Sequence, residues 1–193
     1  MSTLKATTVE ADTLKNASGS NSISQSSIGR FYKENVSDIS GQAYKEWTNI
    51  PSWAQRIVVT VKGFNNGEVS KNGSLTVRLG TSGSVATSGY VCSSSYQQNS
   101  SSSVGAAYDT GGFFTYYWIA NNDRYGSFEL LHMGSNHWVC RGIFTGSASG
   151  GFVVNTSGYI GLTGVLDSVR VGTYNSAITV TATDIGIMYQ GMN

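Results

Sequence analysis

Charge is scarce in this chain. Only 12% of its 193 residues are Asp, Glu, Lys or Arg, against about 25% in an ordinary soluble domain. Proline occurs once and cysteine twice. The 12 Lys and Arg are scattered and the net charge is +1, so no basic patch invites the phosphates of nucleic acid or an anionic membrane. No apolar run approaches the ~20 residues that span a bilayer. The start, Met1-Ser2-Thr3-Leu4-Lys5-Ala6, has no apolar core of a secretory signal. The expectation is a soluble protein made in a reducing cytosol, with Cys92 and Cys140 as buried thiols rather than a disulfide.

What the chain does have is glycine, 24 residues of it, together with abundant Ser, Thr and Asn and 11% aromatics. That mixture suits strands and turns with polar, uncharged surfaces; helices want Ala, Leu, Glu and Lys. Residues 1–35 read as an arm. Thr7-Thr8-Val9-Glu10 could cap a short helix running through Leu14, or the segment could be two short extended pieces joined at Asn16-Ala17-Ser18-Gly19. Either way it has too few large apolar groups for a core of its own and needs a partner to order it.

From residue 36 the pattern changes. Ile50-Pro51-Ser52-Trp53 turns the chain into Ile57-Val58-Val59-Thr60-Val61, where alternate residues face opposite ways. Strand-like segments then recur roughly every 8–12 residues, separated by turn signals such as Asn65-Asn66-Gly67 and Lys71-Asn72-Gly73. Among them are Leu75–Leu79, Gly89–Cys92, Phe113–Trp118, Ser127–Met133, His137–Phe144, Leu166–Val171 and Ile178–Ala182, the last continuing through a bulge near Thr183-Asp184. Ser93–Ser103 reads as a loop. The expected fold is all-β: a jelly-roll-like antiparallel β-sandwich over residues 36–193, preceded by the extended N-terminal arm.

Catalytic residues are hard to find. The 11 acidic side chains form no spacing that suggests an acid–base pair. Gly146-Ser147-Ala148-Ser149-Gly150 fails the Gly-x-Ser-x-Gly spacing of a nucleophile elbow. His132, His137 and Cys140 have metal-ligand chemistry but no evident fourth ligand, and read as surface histidines beside a buried thiol. No catalytic, metal or cofactor site is expected. The aromatic group Phe113, Phe114, Tyr116, Tyr117, Trp118 and Tyr125 should divide between core and surface, because strand neighbours alternate. Its exposed members beside Asn121, Asn122, Asp123 and Arg124 could stack on sugar rings and bond hydroxyls. The candidate receptor or glycan site is therefore Trp118, Asn121, Asp123 and Tyr125.

The stretch Glu10-Ala11-Asp12-Thr13-Leu14-Lys15-Asn16-Ala17-Ser18-Gly19-Ser20-Asn21-Ser22-Ile23 resembles a short motif near the start of tailed-bacteriophage tail-fibre and related virion proteins. The body is similar to a domain that recurs at the C-termini of such proteins. The similarity lies in Ile50-Pro51-Ser52-Trp53-Ala54-Gln55-Arg56-Ile57, Val77-Arg78-Leu79-Gly80-Thr81-Ser82-Gly83, Thr87-Ser88-Gly89-Tyr90, Leu166-Asp167-Ser168-Val169-Arg170-Val171 and Ile185-Gly186-Ile187-Met188-Tyr189, in that order. The resemblance implies a non-enzymatic virion structural protein assembled in the host cytoplasm. On that expectation the arm contacts other virion proteins, three copies associate, and loops 93–110, 119–126 and 145–151 meet a host surface glycan or protein. The alternative is a capsid decoration protein or another tail component.

Overall fold

A computed structural model describes residues 13–15, 22–24, 31–68, 70–98, 104–116, 123–146, 151–181 and 183–191. Among them the regular structure is antiparallel strand, with one short 3-10 turn at Lys71–Gly73. Two sheets pack face to face as a sandwich over a single core. The larger sheet contains β3 (Phe31–Lys33), β4 (Ser37–Asp38), β6 (Arg56–Phe64), β9 (Val91–Gln98), β10 (Val104–Asp109), β12 (Arg124–His132), β13 (His137–Gly146), β14 (Phe152–Gly161) and β16 (Asp184–Gln190). Its order is β10-β9-β14-β13-β12-β6-β16-β3, with β4 also on β16. The smaller sheet runs β11 (Phe113–Phe114), β7 (Leu75–Thr81), β15 (Ser168–Thr173), β5 (Tyr44–Thr48), with β8 (Ser84–Val85) on β7.

Period-two patterning explains the layers. In β6, Ile57, Val59 and Val61 are buried while Thr60 and Lys62 face water. Phe128 and Leu130 of β12, Trp138 and Phe144 of β13, and Val154 and Ile160 of β14 fill the same layer. Leu75, Val77 and Leu79 of β7 and Val169 and Val171 of β15 oppose them from the smaller sheet. Burying each such side chain contributes about 1.5–3 kcal/mol. Tyr90 ties the sheets together: standing just before β9, its hydroxyl accepts from the Leu79 N–H at 2.8 Å across the sandwich.

The arm shows the second of its two readings. β1 (Thr13–Lys15) pairs antiparallel with β2 (Ser22–Ser24), Leu14 opposite Ile23. Residues 31–33, counted with the arm from sequence, form β3 and pair with β16, Tyr32 opposite Tyr189.

Three local expectations are corrected. Within the expected loop 93–110, Ser93–Gln98 and Val104–Asp109 are strand: β9 runs through the first and β10 is the second, the two paired with each other and β9 also with β14. The inward Ser94 hydroxyl is buried because it reaches Thr156 Oγ1 at 3.0 Å and receives the Tyr116 N–H at 2.7 Å. The segment from Phe113 does not alternate. Phe113, Phe114, Thr115 and Tyr116 are all buried, because here the chain crosses from the larger sheet to the smaller and is covered on both sides. Residues 178–181 are not strand: Asn175 Oδ1 accepts from the Ala177 N–H and closes a turn, and β16 begins afresh at Asp184.

The sandwich has two distinct ends. Phe31 lies opposite Gln190, Gln190 opposite Arg56, and Arg56 opposite Leu131, so the arm joins at that end of the larger sheet. Gln98 lies opposite Phe152, Phe152 opposite Gly146, Gly146 opposite Arg124 and Arg124 opposite Phe64. The connections after β9, before β12 and after β13 therefore leave together from the other end.

Candidate functional site

At that loop-bearing end, the structure brings Asp123 and Tyr125 together. Tyr125 Oη donates to Asp123 Oδ2 at 3.1 Å, and Asn65 Nδ2 donates to Asp123 Oδ1 at 3.1 Å. Asn65 is itself fixed. Its Oδ1 accepts from the Gly67 N–H at 3.2 Å in a side-chain turn, and its carbonyl accepts from the Thr181 N–H at 2.8 Å. The pairing of β12 with β6 shifts between Arg124 and Gly126. Such an irregularity re-aims a side chain at the rim of a sheet, and Tyr125 is 38% exposed there. Trp118 and Asn121, the other two candidates, lie outside the described residues.

The chemistry of this group is recognition. Both Asp123 oxygens already accept hydrogen bonds, and the bond from Tyr125 to the carboxylate raises the phenol above its ordinary value. The ring offers a stacking face, and the carboxylate offers remaining lone pairs to a hydroxyl-bearing ligand. Lys62, on the neighbouring strand, holds Asp184 Oδ2 at 3.2 Å and adds a positive charge to the rim. Beneath, Arg124 is 4% exposed with its guanidinium over the Phe64 ring. Burial lowers its pKa to about 10, which leaves it charged at neutral pH.

The remaining candidates separate. Cys140 points into the core, whereas His137 at the start of the same strand lies on the outer face, hydrogen-bonded to the Tyr159 hydroxyl and stacked on its ring. His132 packs on Trp138 at 4.9 Å between ring centroids. Among the described residues, no three His, Cys, Asp or Glu side chains are grouped to hold a metal. Cys92 and Cys140 are free and buried. Burial pushes the Cys92 thiol up to about 11, and Cys140 well above the ordinary value with a further push from Cys92.

Two carboxylates do face each other across a strand pair, Asp38 opposite Asp184. The Ser40 hydroxyl and N–H hold Asp38 below the usual carboxylate range, and Lys62 holds Asp184. Asp38, held low, is not poised as a proton donor. A second polar cluster binds the buried Asp109. Its Oδ1 accepts from the Gly111 N–H at 2.5 Å and from Tyr174 Oη at 3.2 Å, and Lys71 pairs with the other oxygen. Arg78 closes the group by donating to the carbonyls of Gly111 and Tyr174 at 2.8 and 2.9 Å. These contacts pin the crossing segment to the smaller sheet.

The arm end carries a feature that sequence reading missed. An open pocket of about 110 Å³ lies between the Pro51–Ala54 turn, the β12–β13 turn and the segment before β15. Trp138 lines it, and Ser52, His132 and Asn136 supply its polar groups. The signal in the sequence was the lone proline beside an aromatic turn, but nothing local showed that residues 132–138 and 165–166 would close over it.

No family model, no curated protein and no solved structure matches the chain.

Proposed function

We propose that this chain is a bacteriophage virion protein of the tail-fibre or receptor-binding kind, non-enzymatic, acting at the host cell surface. The polarity of the sandwich is the observation that supports this reading most. The arm joins at one end of the larger sheet, and the three loop-bearing connections leave from the other. An attachment module needs that arrangement: one end held by other virion proteins, the far end free to meet a surface. The arm, on this reading, docks on the virion, and three copies assemble side by side.

Asp123, Tyr125 and Asn65 form the described part of the surface-binding end, with Trp118 and Asn121 as its further members. A host glycan is the proposed ligand class, because a fixed carboxylate beside a half-exposed tyrosine suits hydroxyl recognition better than proton transfer. The test is adsorption. Purified protein should bind host cells and slow phage adsorption in competition. Tyr125→Ala combined with Asp123→Ala should weaken that binding about tenfold or more, with the melting temperature little changed. Full competition by the double variant would sink this assignment of the site.

A second reading, a capsid decoration protein, is favoured by one observation. The outer face of the larger sheet exposes Val91, Val104, Tyr108, Ile143 and Val153. Dispersed apolar groups on a broad sheet suit contact with neighbouring subunits. Particle stoichiometry separates the two readings.

A further inference from the structure

Charge is divided unevenly over the outer face of the larger sheet. The outward positions of β10, β9 and β14, read from their alternating burial, carry no charged side chain. Among the described residues, the charges of this face stand on the other strands: Arg141 on β13, Glu129 on β12, Arg56 and Lys62 on β6, Asp184 on β16 and Lys33 on β3.

Apolar groups take the place of charge on the uncharged half. Tyr108 lies opposite Ser93, which puts Val91 on its diagonal, and Val91 lies directly opposite Tyr159. Ile143 lies opposite Asn155, which puts Val153 on its diagonal. Opposite and diagonal side chains reach one another across a sheet, so these are patches and not single groups. Val91, Tyr108 and Ile143 are 52%, 61% and 63% exposed. Strand propensity favours Val, Ile and Tyr on any sheet, yet the row of Ile143 continues on the other half as Ser127, Thr60 and Gly186.

The face is also large enough. β10, β9, β14 and β13 are 6, 8, 10 and 10 residues long. At about 4.8 Å between strands and about 3.3 Å per residue they cover about 540 Å² in plan, and β12 brings this to about 680 Å². Projecting side chains make the accessible area larger than the plan, so the face meets the about 800 Å² per partner of a stable interface. Arg141 is already held by Glu129, which leaves no free charge here to call for a charged partner. A second copy brings an equally uncharged face and buries no unpaired ion on either side. With a net charge of +1, the copies do not repel at long range.

We infer that this uncharged half of the outer face is where copies of the chain pack against each other, sheet on sheet. Packed sheets stand about 10 Å apart with their strands within about 30°. An association axis running along the strands therefore holds every arm end at one pole. The inference rests on the side-by-side assembly proposed above and adds the surface that makes it.

Native mass spectrometry and sedimentation of the full chain at micromolar concentration read the assembly directly. The wild type should have a mass of several chains. Ile143→Lys combined with Val153→Lys places two charges on exposed positions and should yield a monomer, with association weakened about a hundredfold or more. Val91→Lys is an independent variant with the same expected loss. Thr60→Lys, on the charged half, should leave the assembly intact. Circular dichroism checks that each variant folds. A wild type that stays monomeric overturns the proposal. An assembly that survives in the folded variants overturns the assignment of the face and leaves the three-copy reading standing. A two-copy mass that the variants abolish supports the face and ends the three-copy reading. If the wild type is a monomer that binds particles lacking it, and the double variant does not, the face belongs to another virion protein and the proposal falls.

Discussion

Gly158 separates the two thiols. It lies opposite Cys92 on one side and Cys140 on the other, which puts the cysteines two strands apart, about 9.6 Å at the usual strand spacing. A disulfide spans at most about 7 Å between Cα atoms, so this register keeps the thiols apart without help from a reducing environment. A Cβ on Gly158 would lie 2.8 Å from both the Phe113 ring and the Val91 carbonyl. Gly158→Ala should cost about 1–3 kcal/mol, read as a lowered urea midpoint.

The thiols also set a pH limit. Cys92 is raised from 9.0 to about 11 in the folded chain, so the native state holds a proton that the unfolded state releases earlier. That contribution is fully present below pH 9 and is lost as pH rises from 9 towards 11, by about 2–3 kcal/mol. The buried Tyr90 phenol is raised too and works in the same direction at higher pH. Urea midpoints at pH 8 and pH 10.5 should differ accordingly, and Cys92→Ala should flatten the profile. An equal slope in that variant would contradict the assignment.

At the scale of elements, β3 and β4 decide where the folded body begins. They cover the edge of β16, with Lys33 opposite Met188 and Ser37 opposite Ile185, and the Glu34 N–H adds a bond to the Ile187 carbonyl at 3.0 Å. Ile39, just beyond, is buried. Removing residues 1–30 should leave the melting temperature within a few degrees. Removing residues 1–38 should lower it sharply and promote aggregation through the bared edge.

The elements legible from sequence were those whose side chains alternate between a wet and a dry face. In β6, β12 and β13 the burial follows residue parity. The Ser-rich part of β9 was not legible, because one of its two partner strands, β14, lies some 60 residues away and its inward serine is satisfied by Thr156. Nor was the crossing at Phe113–Tyr116, where cover on both sides erases alternation. For the candidate site, Asp123 and Tyr125 were visible as an exposed aromatic beside a polar turn. Asn65, from another strand's end, was not. The pocket at Trp138 escaped for the same reason, since three distant segments build it.

At the scale of the molecule, the account rests on the two-ended sandwich: arm at one pole, loop-bearing strand ends at the other. The charge-poor surface agrees with it, since a protein carrying a net charge of +1 is neither steered to nor repelled from a charged envelope at long range. On the outer sheet face Lys62 pairs with Asp184. Glu129 sits between Arg56, at 2.5 Å, and Arg141, and the exposed Val91, Val104, Tyr108, Ile143 and Val153 lie on the same face.

Copies per particle, counted by quantitative mass spectrometry of purified virions, test the central claim most directly. An attachment protein of this design should be present in a multiple of three and at no more than a few tens per particle. Hundreds of copies would place the chain on the capsid, and absence from the particle would end the virion reading altogether.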